Sequence, residues 1–221
     1  MYIQTSMIFG IIGLAVGLGI QNISYKLIKF KRGKFEVSEN VFLHSMMLRI
    51  LLGAFNGAAW AITGLFTDNF LLQILICTQI TVGLIVSYID ISIRIIPNEI
   101  VLIIITMGMI FQTSTYGLYG ILGSIMSMVF IMIVFTALAM FMGMGKVGAG
   151  DVKLAGAIGF TLGYPLVITA IWTMAISLII FILIGFLLKK IKLSTMLPLG
   201  PFLSLGYAFS LVYFVLNNGL N

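Results

Sequence analysis

FLLQILICTQITVGLIVSYI, residues 70–89, runs for twenty positions without a charge and is followed at once by Asp90. A helix needs about 20 mostly apolar residues to cross the hydrocarbon of a bilayer, and this stretch meets that length. Comparable stretches lie at 3–25, 44–66, 99–112, 119–142, 152–163, 165–188 and 200–216, separated by polar or Gly/Pro punctuation. Those at 99–112 and 152–163 are short for a full crossing, so tilted, extended or re-entrant segments are alternatives there. The expectation is an all-α polytopic integral membrane helical bundle of about eight spans, or six or seven if the short stretches do not cross.

Composition supports that class. Hydrophobic residues make up 61% of the 221 residues and charged ones 8%, against roughly 25% charged in a soluble domain; mean hydropathy is +1.21. The net charge of +6 does not point to nucleic acid. The basic residues sit in or beside short inter-helix segments, where anionic lipid headgroups are their partners. The longest hydrophilic stretch, KLIKFKRGKFEVSEN at 26–40, is too short to fold alone, so residues 1–221 read as a single membrane domain. The start, MYIQTSMIFGIIGLAVGLGI, lacks a basic n-region and a small-residue cleavage pattern, which reads as an uncleaved first span.

Charge also assigns the sides, because Lys and Arg of short loops collect on the cytoplasmic face. Lys26, Lys29, Lys31, Arg32, Lys34, Arg49, Arg94, Lys146, Lys153, Lys189, Lys190 and Lys192 all fall on one side if the N-terminus is outside. The opposite connections, at 67–69, 113–117 and near Tyr164-Pro165, contain no Lys or Arg. Asp90 and Asp151 then both lie at cytoplasmic helix ends.

Those two residues are unusual in a chain with only six acids. A carboxylate close to hydrocarbon is costly without a partner or a task. Asp151 has a structural explanation: after Gly148-Ala149-Gly150 it can cap the helix that follows. Asp90 ends an apolar helix, where the macrodipole disfavours an anion; it is either offset by Arg94 or held partly protonated. Two carboxyls about 3 Å apart cannot both ionise, and such a pair activates water to hydrolyse a peptide bond with neither a metal nor a nucleophilic side chain. Competing chemistries lack their residues. The single histidine, His44, has no HExxH or paired ligand for zinc and reads as an interfacial polar residue, there is no GxSxG, and the single Cys77 sits in an apolar run as a small buried residue. No cofactor or metal is expected. Gly148 and Gly150 suit a loop that passes close to another helix and adopts positive φ, although a GxG is by itself a weak signal.

In order and spacing these motifs resemble the type IV prepilin peptidases, integral-membrane aspartyl proteases of the GxGD kind. The resemblance rests on Asp90, Arg94, Ile96, Pro97 and Asn98, on the later GAGDVKLAGAIG, on Asn22, Tyr25 and Leu27 before the basic stretch, and on Pro198, Gly200, Pro201 and Phe202. It implies a catalytic pair Asp90 and Asp151, sixty-one positions apart, and cleavage of the basic leader of prepilins or pseudopilins after a Gly at the cytoplasmic face. Gly148, Gly150, Pro97, Asn98, Arg94 and Lys153 are read as supporting residues: Asn98 as an N-cap, Arg94, Lys146 and Lys153 as headgroup contacts. Many bacterial members carry a larger insertion after the first span, with zinc-binding cysteines, and N-methylate the new N-terminus; the fifteen residues here contain no cysteine, which excludes such a zinc site and puts methyl transfer in doubt. Three rivals are weighed: a non-catalytic membrane scaffold, with Asp151 as a helix cap and Asp90 paired to Arg94; a presenilin or signal-peptide-peptidase type protease, which should show Pro-Ala-Leu near its C-terminus; and a proton-coupled transporter, which predicts acids near the bilayer centre and an internal repeat. For the last two, neither signal is present in the sequence.

Overall fold

A computed structural model describes residues 2–32, 45–142, 148–189 and 197–219. They form seven helices and no strand: α1 (Tyr2–Arg32), α2 (Met46–Phe66), α3 (Phe70–Ile93), α4 (Asn98–Met142), α5 (Ala149–Leu162), α6 (Leu166–Leu187) and α7 (Gly200–Gly219). All but α5 are long and apolar enough to cross a membrane, six in number among the described residues. The protein is thus an all-α polytopic membrane protein. The eight apolar stretches of the sequence all fall on helices, but two of them share α4, which is interrupted at Gly117 (φ 68, ψ −161). At 45 residues, α4 would extend about 68 Å if straight, twice a bilayer's hydrocarbon, and its two halves each match one crossing. The 14 residues of α5 reach only about 21 Å, so this helix is short for a full span.

Two compact units can be distinguished: residues 1–95 with 211–221, and residues 96–210. The first is built on close approach of α1 and α2. A Cβ placed on Gly13 would come within 2.6 Å of the Trp60 ring, and one on Gly17 within 2.7 Å of Gly53 Cα. Small residues let these backbones meet, the device that membrane helices use where lipid removes the hydrophobic drive for association. Buried polar groups then join three helices. Asn56 Nδ2 donates to Gly13 O (2.8 Å), Trp60 Nε1 donates to Thr81 Oγ1 (3.2 Å), and Thr81 Oγ1 lies 3.0 Å from Asn56 Oδ1 and 2.9 Å from Cys77 O. The single hydroxyl proton of Thr81 serves one of those two acceptors at a time. Cys77 is free and buried, as a small core residue should be. Near the other end of this pair, Arg49 Nε donates to Leu18 O (2.9 Å).

In the second unit α5 is the core. Nine consecutive residues, Leu154 to Leu162, are buried, the pattern of a helix covered on every side. It runs alongside the first half of α4, where Thr161 Oγ1 donates to Ile104 O (3.1 Å) and Gln112 Nε2 to Thr161 O (2.8 Å). It packs against the second half in the opposite sense, with Gly156 against Met132 and Gly159 against Ser127 and Ile131. α6 is fixed through Ser210 Oγ, which donates to Leu166 O (3.0 Å) and also bonds Thr169 Oγ1.

Candidate active site

Asp90 belongs to the first unit and Asp151 to the second, and each is positioned by its own helix end. α3 continues past residue 89 because Ile91 and Ile93 prolong the apolar pattern, so Asp90 lies inside the helix and not after it. Arg94 ends it in the left-handed conformation (φ 52, ψ 37), its N–H donating to Asp90 O at 2.8 Å. An αL residue commonly closes a helix in this way, normally as glycine. Asp90 is 4% exposed, with Tyr88 and Ile93 also buried and Ile91 41% exposed. Its carboxyl is therefore held on the covered face of α3, one turn from a C-terminus whose partial negative charge opposes an anion. Arg94 itself is exposed.

Asp151 sits at the opposite kind of end. α5 begins at Ala149, earlier than the sequence suggested, with Gly148 as N-cap and Asp151 as the third helical residue. Gly148 N–H donates to Asp151 Oδ2 at 2.9 Å. This is the reciprocal arm of a capping box, made without the other arm because glycine has no side chain to offer. The carboxylate thus folds back over a helix N-terminus that favours negative charge. The glycines behave only partly as expected: Gly148 is extended (φ −76, ψ 149), and among the described residues positive-φ glycines are Gly117 and Gly163. Close approach does hold for Gly150, where a Cβ would lie 3.3 Å from Ile96 Cβ.

The IPN segment joins the Asp151 neighbourhood through that contact and one more. Lys153 Nζ donates to Asn98 Oδ1 at 3.3 Å, so Lys153 is engaged with α4, a partner the headgroup reading did not provide. Asn98 is not the N-cap. It is the first residue of α4, while Pro97 O accepts the N–H groups of Ile100 (3.1 Å) and Val101 (3.3 Å). Pro97, lacking an N–H, suits a helix start. Lys146 and His44 lie outside the described residues. Among the described residues no three His, Cys, Asp or Glu side chains gather as a metal site.

One polar residue escaped the sequence reading. Gln79, in the middle of α3, is wholly buried; eleven positions before Asp90, it lies on the same helix face, a spacing that the sequence already carried.

The model of the type IV leader peptidase family matches residues 77–189, just over half of the chain. The chain belongs to that family. The matched region takes in Asp90, Arg94, Pro97, Asn98, Gly148, Gly150, Asp151 and Lys153. A curated relative, the prepilin leader peptidase/N-methyltransferase of Pectobacterium carotovorum subsp. carotovorum, is 27% identical over 143 residues, which are 62% of this chain and 49% of the relative. The chain spans about half the length of that relative. No solved structure matches.

Proposed function

We propose that this protein is a membrane aspartic endopeptidase that removes the leader peptide of type IV prepilins or pseudopilins at the cytoplasmic face of the cell membrane. The observation that carries this reading is the family match over residues 77–189, which includes both aspartates together with their flanking motifs. The name of the Pectobacterium relative supports a prepilin as the substrate class. Family membership also argues against the presenilin-type and transporter rivals.

In this reading Asp90 and Asp151 form the catalytic pair, and the two helix ends divide their roles. Asp151, over the N-terminus of α5 and accepting from Gly148 N–H, takes a proton from the attacking water. Asp90, buried in the last turns of α3, is the protonated partner that hydrogen-bonds the scissile carbonyl and protonates the leaving amine. The water oxygen adds to the carbonyl carbon, the C–N bond breaks, and the protons redistribute between the carboxyls, with no metal or covalent intermediate. Gly150, Ile96, Asn98 and Lys153 act as positioning residues around Asp151. The distribution of Lys and Arg supports cytoplasmic placement of both aspartates. The proposal covers peptidase activity alone and the whole of residues 1–221 as the membrane peptidase, with lipid and prepilin as its partners.

The test is direct. Purified protein in lipid is incubated with a full-length prepilin, and the products are sized by mass spectrometry. A single cut after the leader Gly is expected; an intact prepilin, or cuts scattered within the membrane segment, would overturn the reading.

A further inference from the structure

Gln79 is 0% exposed, and neither its Nε2 nor its Oε1 has a hydrogen-bond partner among the described residues. Several buried Ser and Thr hydroxyls share that condition, among them Ser24 and Ser124, but these can rotate to donate to their own helix carbonyls. A primary amide cannot be satisfied that way. It carries two donors and a two-lone-pair acceptor, and it is wholly buried in a helix made mostly of Leu, Ile and Val. Buried polar groups in native proteins almost always have a partner, which is ordered water when no protein group serves. In a membrane segment, a polar side chain that faces inward marks a partner or a water-filled cavity.

Its place on α3 suggests what such water would do. Eleven residues are about three turns, so Gln79 and Asp90 point the same way some 16 Å apart along the axis. Gly83 lies between them on that face, is buried, and adds no side chain of its own there. Ser87, buried as well, flanks the last turn before Asp90. Gln79, Gly83 and Asp90 share one face of α3, with Val86 and Ser87 at its two edges, and Asp90 is closed off from bulk solvent. Peptide hydrolysis consumes one water per bond cut, and that water has to reach a carboxyl pair of which Asp90 is buried.

We propose that Gln79 is a water-binding site that anchors a hydrated track along the Gln79–Gly83–Asp90 face of α3, supplying from the Asp90 side the water that Asp151 activates. The proposal rests on the reading of Asp90 as catalytic, and two readouts separate them.

The first is hydration itself. Gln79→Cys and Ile80→Cys are made in a Cys77→Ala background, because Ile80 is equally buried one residue on, off that face. The reconstituted proteins are exposed to methanethiosulfonate ethylammonium in the aqueous phase. Thiolates react and need water to form, so Gln79→Cys should label at least about ten-fold faster than Ile80→Cys. The second is turnover. Gln79→Leu should lower kcat for prepilin cleavage by roughly ten-fold, because the track loses its anchor, with an unchanged melting temperature. Equal labelling of the two cysteine variants, or full activity in Gln79→Leu, overturns the proposal. If Gln79→Leu does not fold, the labelling ratio decides alone. Cleavage retained by Asp90→Asn would overturn the catalytic reading instead, and would leave the labelling result untouched.

Discussion

Lys153 Nζ and Asn98 Oδ1 meet at 3.3 Å, tying the second turn of α5 to the first residue of α4. Two residues earlier in α5 stands Asp151, so this bond fixes the rotation of the helix that presents the carboxylate. Both partners are exposed, and an exposed polar contact of this kind contributes at most about 1 kcal/mol to stability. Its effect should appear in positioning. Lys153→Met and Asn98→Ala are each expected to lower kcat several-fold to about ten-fold, with KM and melting temperature nearly unchanged. The double variant should be no worse than the poorer single, which a double-mutant cycle on cleavage rates will read.

Asp151 both caps α5 and carries the proposed chemistry, and substitution can separate the two. Asparagine keeps an oxygen that accepts from Gly148 N–H; alanine does not. Asp151→Asn should unfold within about 0.5 kcal/mol of the parent, whereas Asp151→Ala should lose about 1 kcal/mol. Thermal unfolding in detergent micelles distinguishes these, and a parent-like Asp151→Ala would show that the cap contributes nothing.

Thr81 is the branch point of the buried network in the first unit. Replacing it by valine keeps the shape and leaves Trp60 Nε1 and Asn56 Oδ1 short of a partner, at an expected cost of about 1–3 kcal/mol. Thr78→Val is the control. Thr78 Oγ1 bonds only carbonyls of its own helix, Ile74 O and Leu75 O, and its loss should be close to neutral.

Glycines of α1 are predicted to differ sharply. Gly13→Val would drive a side chain into Trp60, and Gly17→Val into Gly53 and Asn56; overpacking of this sort costs about 1–3 kcal/mol. Gly19, with nothing within 4 Å of a built Cβ, should accept alanine with a gain in stability, because glycine is the poorer helix former. Chemical denaturation of the three variants checks the order.

That contrast also shows where reading from sequence stops. Membrane class and the eight apolar stretches follow from runs such as 70–89, because a bilayer demands length and hydrophobicity from each segment separately. Gly13 and Gly19 look alike in the chain; only the partner helix makes one indispensable. Helix ends near the candidate site shifted for local reasons. Ile91 and Ile93 carry α3 past Asp90, and the Ala149-Gly150 start of α5 was obscured by a weak helix former whose neighbour Asp151 stabilises it from the third position. Lys153 to Asn98 joins residues fifty-five positions apart, beyond the reach of any local pattern. Gln79 is one of two amides in the run 70–89, with Gln73, and only burial without a partner among the described residues sets it apart.

The pairing of Asp90 with Asp151 is tested most directly by cleavage of a prepilin with Asp90→Asn and Asp151→Asn, each made singly and assayed in lipid beside the parent. Each substitution keeps the shape of its side chain. Both variants should melt like the parent and lose cleavage by about 10³-fold or more. A variant that still removes the leader at close to the parental rate would contradict a two-aspartate site in this protein.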